Sequence, residues 1–313
     1  MNCLITGGAG FIGSNLAEYL LRKGWQVRIL DNLSTGKMEN LTTVIKDVDF
    51  IAGDIRDQSL VGKAVLGCPI VFHQAALPSV LRSITEPFLT HDVNVNGTLN
   101  VLLAARQAGV KRLIFASSSS VYGDSEVLPR SEEIFPCPLS PYAVTKLTGE
   151  YYARVFAHVY GMETICLRYF NVFGPRQDPD SAYAAVIPRF IQTLLQGRSP
   201  VIYGDGRQSR DFTYVDHVSE INYLAATSEI SFRGEVLNVG CGRRFDLVEL
   251  LDLLKEITDR HSVEPVFEPP RPGDVRHSQA SIEKARRLLG FSPETDFARE
   301  LEKTCRWFSR IDR

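Results

Sequence analysis

The stretch LITGGAGFIGSNL at residues 4–16 constrains this chain more than any other. An apolar run ends in Gly7, Gly10 and Gly13, and a helix-compatible segment follows at once. A strand that turns sharply into a helix over a phosphate needs glycine at such places. Gly7 turns the chain, Gly10 lets a phosphate approach the backbone, and Gly13 lets the helix pack on the sheet. The helix N-terminus then offers free N–H groups and a partial positive charge to a pyrophosphate. A second apolar run ends in Asp31, 18 residues past Gly13. That is near the roughly 20-residue spacing at which an acid meets the ribose hydroxyls of a bound dinucleotide. An acid repels a 2′-phosphate, and no arginine stands beside it in sequence, so the expected cofactor is NAD rather than NADP. Asp54, closing a third run in GDIRD, is placed to meet the adenine amine; its plainer reading is a turn former.

Beyond the loop, short apolar runs alternate with helix-like segments. Strands are expected at 2–6, 26–30, 49–52, 70–72, 112–116 and 162–168, and helices at 11–23, 57–66, 87–108 and 141–160. Repeated strand–helix units imply a doubly wound parallel α/β (Rossmann) sheet covered on both faces. After residue 168 the rhythm breaks into YFNVFGPRQDPDSAYAAVIP, which reads as a working loop. Helices near 187–196 and 217–227, a strand at 235–239, and helices near 247–258, 282–289 and 298–309 complete the chain. Residues 1–168 with about 213–240 are expected to form the dinucleotide domain. Residues 169–212 with about 241–313 are expected to form a smaller α/β lobe for the substrate. A net charge of −2 argues against nucleic acid or an anionic membrane as partner. No apolar run approaches the ~18 residues of a membrane span, and no basic leader precedes the glycine loop. The six cysteines are scattered without a C-x-x-C, as expected of reduced thiols in a cytoplasmic protein, and the histidines have no metal-ligand spacing.

Two further stretches carry chemistry. RLIFASSSSVYG at 112–123 ends a core strand in four serines, more small hydroxyls than a bend requires. SPYAVTK places Tyr142 and Lys146 four apart at a helix start, hence on one face. A phenol of pKa ~10 must lose about three units, or about 4 kcal/mol, to act as a base near neutrality. An adjacent ammonium and a positive nicotinamide ring are neighbours of the right kind.

The fold pattern, TGGAGFIG, Asp31, HQAA and YAVTK together resemble the extended short-chain dehydrogenase/reductase family of NAD-dependent epimerases and dehydratases. Within it, LRYFNVFGPRQ, YGDGRQSRDFTYVDHV and RPGDVRHSQA are most similar to the UDP-N-acetylglucosamine and UDP-glucose 4-epimerases. The resemblance implies that Tyr142 is the acid/base, that Lys146 holds the nicotinamide ribose, and that Ser118 hydrogen-bonds the reacting hydroxyl. It places NAD against Gly7, Gly10, Phe11, Ile12, Gly13, Asp31, Asn32, Ser34, Gly36, Asp54, Ile55, Gln74, Ala75, Ala76, Asn94 and Tyr169. It places the UDP-sugar against Ser79, Ser119, Ser120, Asn171, Gln177, Ala185, Val186, Tyr203, Arg210, Arg271, Asp274 and Ser278. It also implies a homodimer through the helices near 87–108 and 141–160. Relatives that dehydrate or decarboxylate the sugar carry a carboxylate where this chain has Ser119 and Ser120. C4 epimerisation needs only one reversible acid/base: Tyr142 takes the C4 hydroxyl proton, NAD takes the hydride, and the transient 4-keto sugar turns over about its diphosphate. Ser278, where galactose-specific relatives carry Tyr, and Pro78, where they often carry Lys, leave room for an N-acetyl group. Two alternatives stand beside this reading: a UDP-glucuronate 4-epimerase on the same machinery, and a non-catalytic NAD-binding sensor, which would be expected to have lost its base.

Overall fold

The structure is a computed structural model that describes residues 1–179, 185–270 and 275–311. Seven strands form one sheet: β1 (Asn2–Thr6), β2 (Gln26–Asp31), β3 (Val48–Ala52), β4 (Ile70–His73), β5 (Arg112–Ser118), β6 (Glu163–Tyr169) and β7 (Arg233–Val239). Their order is β7-β6-β5-β4-β1-β2-β3, and every pair is parallel. The middle strands are near-continuous apolar runs because both of their faces are covered: Leu4, Ile5, Val71, Phe72, Leu113 and Ile114 are all buried. On one face Leu16 and Leu20 of the helix Phe11–Arg22 and Ile221 of the helix Val215–Thr227 pack together with Ile29. On the other, Val61, Val101 and Phe156 from three helices pack with Phe115. The winding direction reverses between β1 and β4, and in such sheets the ligand crevice opens beyond the carboxyl ends of the strands at that point.

A third apolar cluster joins the helices Val186–Leu195, Leu247–Thr258 and Phe297–Ile311 through Ile191, Leu250, Leu254 and Leu301. Short strand pairs brace it: Val201–Tyr203 with Val266–Glu268, and Ser209–Arg210 with Phe245–Asp246. No helix among the described residues is long and apolar enough to cross a membrane.

Local structure departs from the sequence expectation in three places near the crevice. The expected helix 87–108 is divided into Pro87–His91, a π turn Asp92–Asn96, and Gly97–Gln107. An unexpected helix, Val80–Thr85, starts where the Ser79 hydroxyl accepts the Arg82 N–H at 3.0 Å. Strand β5 runs on to Ser118, two residues past the expected end at 116, so the serines begin inside the sheet.

Candidate active site

A cleft of ≈ 1310 Å³ lies along the carboxyl ends of the strands. Gly7 has φ +71°, and a Cβ on it would stand 2.7 Å from the backbone of Ala75. The exits of β1 and β4 therefore touch, which only glycine permits. Gly10 N-caps the helix Phe11–Arg22 without a side-chain cap bond, leaving the first-turn N–H groups of Phe11, Ile12 and Gly13 without intrahelical partners beside the cleft. The Asp31 carboxylate, at the tip of β2, accepts Ala9 N–H at 2.9 Å and Leu33 N–H at 2.8 Å, which fixes its direction. A glycine cradle at a helix N-terminus with an oriented acid on the neighbouring strand fits NAD, and the acid's charge disfavours a 2′-phosphate. Asn32, Ser34, Gly36, Ile55, Gln74, Ala76 and Tyr169 line the same wall.

Two residues expected at the cofactor stand differently. Asp54 lines the cleft, but its carboxylate already accepts Asn32 Nδ2 at 2.8 Å and three N–H groups of Arg56 at 2.8–3.0 Å. The Arg56 hydrogen bonds hold its pKa down at about 2. Asn94 lies behind the wall. Its amide accepts Leu77 N–H at 2.8 Å and donates to Leu77 O and to Thr145 Oγ1, so it ties the loop after β4 to the helix Pro141–Tyr160. His73 supports that loop from beneath. The Thr98 hydroxyl donates to Asn94 O at 2.6 Å, so it can only accept from His73 Nε2 at 2.9 Å. The His73 Nδ1 then accepts from the Thr6 hydroxyl at 2.7 Å. Complete burial, followed by the charge of Lys146, keeps this imidazole neutral, with its pKa down at about 3.

The helix Pro141–Tyr160 starts sharply. Ser140 Oγ accepts Ala143 N–H at 3.2 Å, and Pro141 occupies the first position. Tyr142 therefore sits in the first turn and Lys146 one turn later, both buried and both on the cleft wall. Lys146 Nζ donates to Ala116 O at 2.8 Å and lies 5.8 Å from the centre of the Tyr142 ring. Burial lowers the Lys146 pKa to about 8. It pushes the Tyr142 phenol up to about 12, with the Ser118 hydroxyl opposing the rise through a hydrogen bond. In the protein's own field burial outweighs the Ser118 hydrogen bond at this phenol, and the Lys146 ammonium is bonded to a carbonyl.

The last two strand residues, Ser117 and Ser118, alternate between the faces, and the turn Ser119–Tyr122 follows them. Ser117 points into the core and donates to Glu150 Oε1 at 2.5 Å, where Arg168 binds Glu150 with two bonds of 2.8 and 2.7 Å. Ser118 faces the cleft, and its Oγ accepts Ser120 N–H at 3.2 Å to cap the turn Ser119–Tyr122. Ser120 lines the cleft, and its Oγ is buried with no partner among the described residues.

Ser79, Ser119, Asn171, Gln177, Ala185, Arg210 and Ser278 also line the cleft. Val186 and Tyr203 line an adjoining cavity of ≈ 270 Å³ that shares Asn171, Ala185 and Arg210 with it. Arg271 and Asp274 fall outside the described residues. Sequence reading overlooked Asp211, a fully buried carboxylate that accepts the N–H groups of Cys241, Gly242 and Ala280 at 2.8–3.0 Å. It joins the wall beside Arg210 to the segment carrying Ser278, and burial pushes its pKa up to about 6. Its one sequence signal is its place directly after Arg210.

A doubly wound sheet with a glycine-lined dinucleotide crevice and a Tyr–Lys pair facing it defines a nucleotide-cofactor enzyme of the short-chain dehydrogenase/reductase type. Residues 3–240 match the NAD dependent epimerase/dehydratase family, and the chain belongs to that family. A UDP-N-acetylglucosamine 4-epimerase from Methanobrevibacter ruminantium, solved with UDP-N-acetylmuramic acid, is 40% identical with a TM-score of 0.94, covering 99% of this chain and 98% of its own. The UDP-glucose 4-epimerase of Thermotoga maritima, solved with UDP-glucose, is 39% identical with a TM-score of 0.94, covering 100% of both chains. The UDP-glucuronic acid 4-epimerase of Bacillus cereus, solved with UDP-glucuronic acid and NAD, is 32% identical with a TM-score of 0.92, covering 99% of this chain and 100% of its own.

Proposed function

We propose that this chain, an NAD-dependent UDP-sugar 4-epimerase, interconverts UDP-N-acetylglucosamine and UDP-N-acetylgalactosamine and also accepts UDP-glucose. The observation that carries the choice of sugar is Ser278. It is a small, buried side chain on the cleft wall shared with Ser118, Ser119 and Ser120, where a tyrosine ring would fill the space an acetamido group needs. NAD, when bound, supplies the two-electron acceptor and donor that oxidation and reduction at C4 require. Tyr142 takes the proton of the C4 hydroxyl and returns it after the sugar has turned. Ser118 aligns the C4 oxygen, and Lys146 holds the ribose and keeps a positive charge near the phenol. Asn171 and Arg210 hold the diphosphate, with Arg271 and Asp274 toward the nucleotide. Residues 1–168 with about 213–240 carry the dinucleotide, and 169–212 with about 241–313 carry the UDP-sugar. The protein works in the cytoplasm as a homodimer. Exposed apolar side chains at Phe88, Val155 and Val159, on the two helices expected to pair, support that assembly.

The test is incubation with UDP-N-acetylglucosamine, UDP-glucose and UDP-glucuronate separately, with products read by NMR. Epimerisation of the first is expected, and turnover of UDP-glucuronate alone overturns the reading. Overfilling a packed pocket costs about 1–3 kcal/mol, so Ser278→Tyr is expected to cut kcat/KM on the N-acetylated sugar by roughly ten- to a hundredfold. Activity on UDP-glucose should change far less; an unchanged ratio between the two sugars removes Ser278 from specificity.

A further inference from the structure

Arg130 is a buried cation with an incomplete set of partners. Its residue is 2% exposed, Nη2 donates to Ser125 O at 3.1 Å, and Nε has no partner among the described residues. The other deeply buried arginines each meet a carboxylate: Arg112 meets Glu163 at 2.5 Å, and Arg168 meets Glu150 at 2.7 Å. Among the described residues no carboxylate lies within ion-pair distance of Arg130. Burial, then the nearby Arg210 cation, pulls its pKa below the ordinary value. A guanidinium in such a place is costly unless something supplies an acceptor.

Its backbone is held firmly. Arg130 N–H donates to Gln279 O at 2.8 Å, and Ser281 N–H donates to Arg130 O at 2.8 Å, which sets Arg130 beside Ala280, two residues from Ser278. Arg130 is among the residues that line the cleft, as are Ser118, Ser119, Ser120, Gly123 and Ser278. It takes no part in the adjoining cavity lined by Val186 and Tyr203. Arg130 thus lines the cleft beside the segment that carries Ser278, with the Arg210 cation nearby.

We propose that Arg130 is a substrate-binding residue whose guanidinium meets an acceptor oxygen on the hexose of the bound UDP-sugar. The proposal rests on the reading of this cleft as a UDP-hexose site. The acceptor is a hydroxyl, an acetamido carbonyl or a C6 carboxylate, and these are the groups in which the three candidate sugars differ.

The test uses full-length holoprotein carrying Arg130→Met or Arg130→Gln. A lost hydrogen bond to a charged donor is worth about tenfold or more in affinity. The KM for the UDP-hexose should therefore rise at least about tenfold in Arg130→Met and less in Arg130→Gln, which keeps a donor. The dissociation constant for UDP alone, measured by calorimetry, should stay within about twofold. NAD content should match wild type. The thermal midpoint of the substrate-free protein should not fall, because the substitution removes an unpaired buried charge. The sugar whose KM rises most identifies the acceptor. An unchanged KM for every sugar overturns the proposal, as does an equal loss of UDP affinity, which would move the contact to the diphosphate. A lower midpoint with lost NAD in both variants overturns it in favour of a purely structural role. Failure of the underlying reading appears instead in wild type, which would then bind no UDP-hexose more tightly than UDP.

Discussion

At Tyr142 two effects compete and the magnitudes decide between them. Removing the phenol from water raises its pKa, and the Ser118 hydrogen bond recovers only part of that rise, leaving it at about 12. Lys146, drawn down to about 8, still carries most of its charge at neutral pH, but its Nζ is bonded to Ala116 O rather than to the phenol oxygen. The phenol is therefore a proton donor in the protein's own field and becomes an acceptor only when further positive charge enters the cleft. Tyr142→Phe removes this one exchangeable proton and little volume. Epimerisation is expected to fall by about 10²–10⁴-fold, with UDP affinity and NAD content preserved. Turnover near wild type, read by NMR, would take Tyr142 out of the chemistry.

At the scale of elements, the segment after β6 carries the clearest strain. Asn171 has φ +30° and Arg176 φ +70°, a region that costs a non-glycine residue on the order of 1–3 kcal/mol. The surrounding contacts explain why it persists. Arg176 Nη1 donates to Ser14 O at 3.1 Å, and its Nη2 pairs with Glu18. Asn15 Nδ2 donates to Pro175 O at 3.0 Å, and Lys37 pairs with Asp178 at 3.1 Å. The strained turn thus clamps the glycine-loop helix and the loop after β2. Arg176→Ala should release that clamp: less NAD should survive gel filtration, and the thermal midpoint should drop. Equal NAD retention and an equal midpoint would show the contacts to be incidental. The glycine turn, Asp31, and Tyr142 with Lys146 were legible in sequence because each is set by local backbone chemistry over a few residues. The π turn at Asp92–Asn96, the retreat of Asn94 behind the wall and the saturation of Asp54 by Arg56 were not, because each depends on which side chains meet across the fold. Arg130 was the least legible, since its position follows from pairing with Ala280, 150 residues away.

Across the whole molecule, the C-terminal helix Phe297–Ile311 is pinned to the sheet-covering helix Val215–Thr227 by His217, whose Nε2 lies 2.7 Å from Glu300 Oε1. Burial lowers the imidazole's pKa, but Glu220 and Glu300 outweigh it and raise the value to about 9. A pKa raised above its unfolded value contributes stability that is complete below about pH 6.5 and is lost as pH climbs through about 9. The shift corresponds to about 3 kcal/mol at most. Glu300→Gln should therefore cost most stability near pH 6, with the difference from wild type in urea unfolding shrinking by pH 9–10. A difference that is flat with pH would mean that the pair carries no titrating contribution. The raised phenol has a consequence of another kind. With Lys146 Nζ turned to Ala116 O, the protein alone does not set the phenol to take a proton, which leaves that setting to whatever charge the cleft takes up.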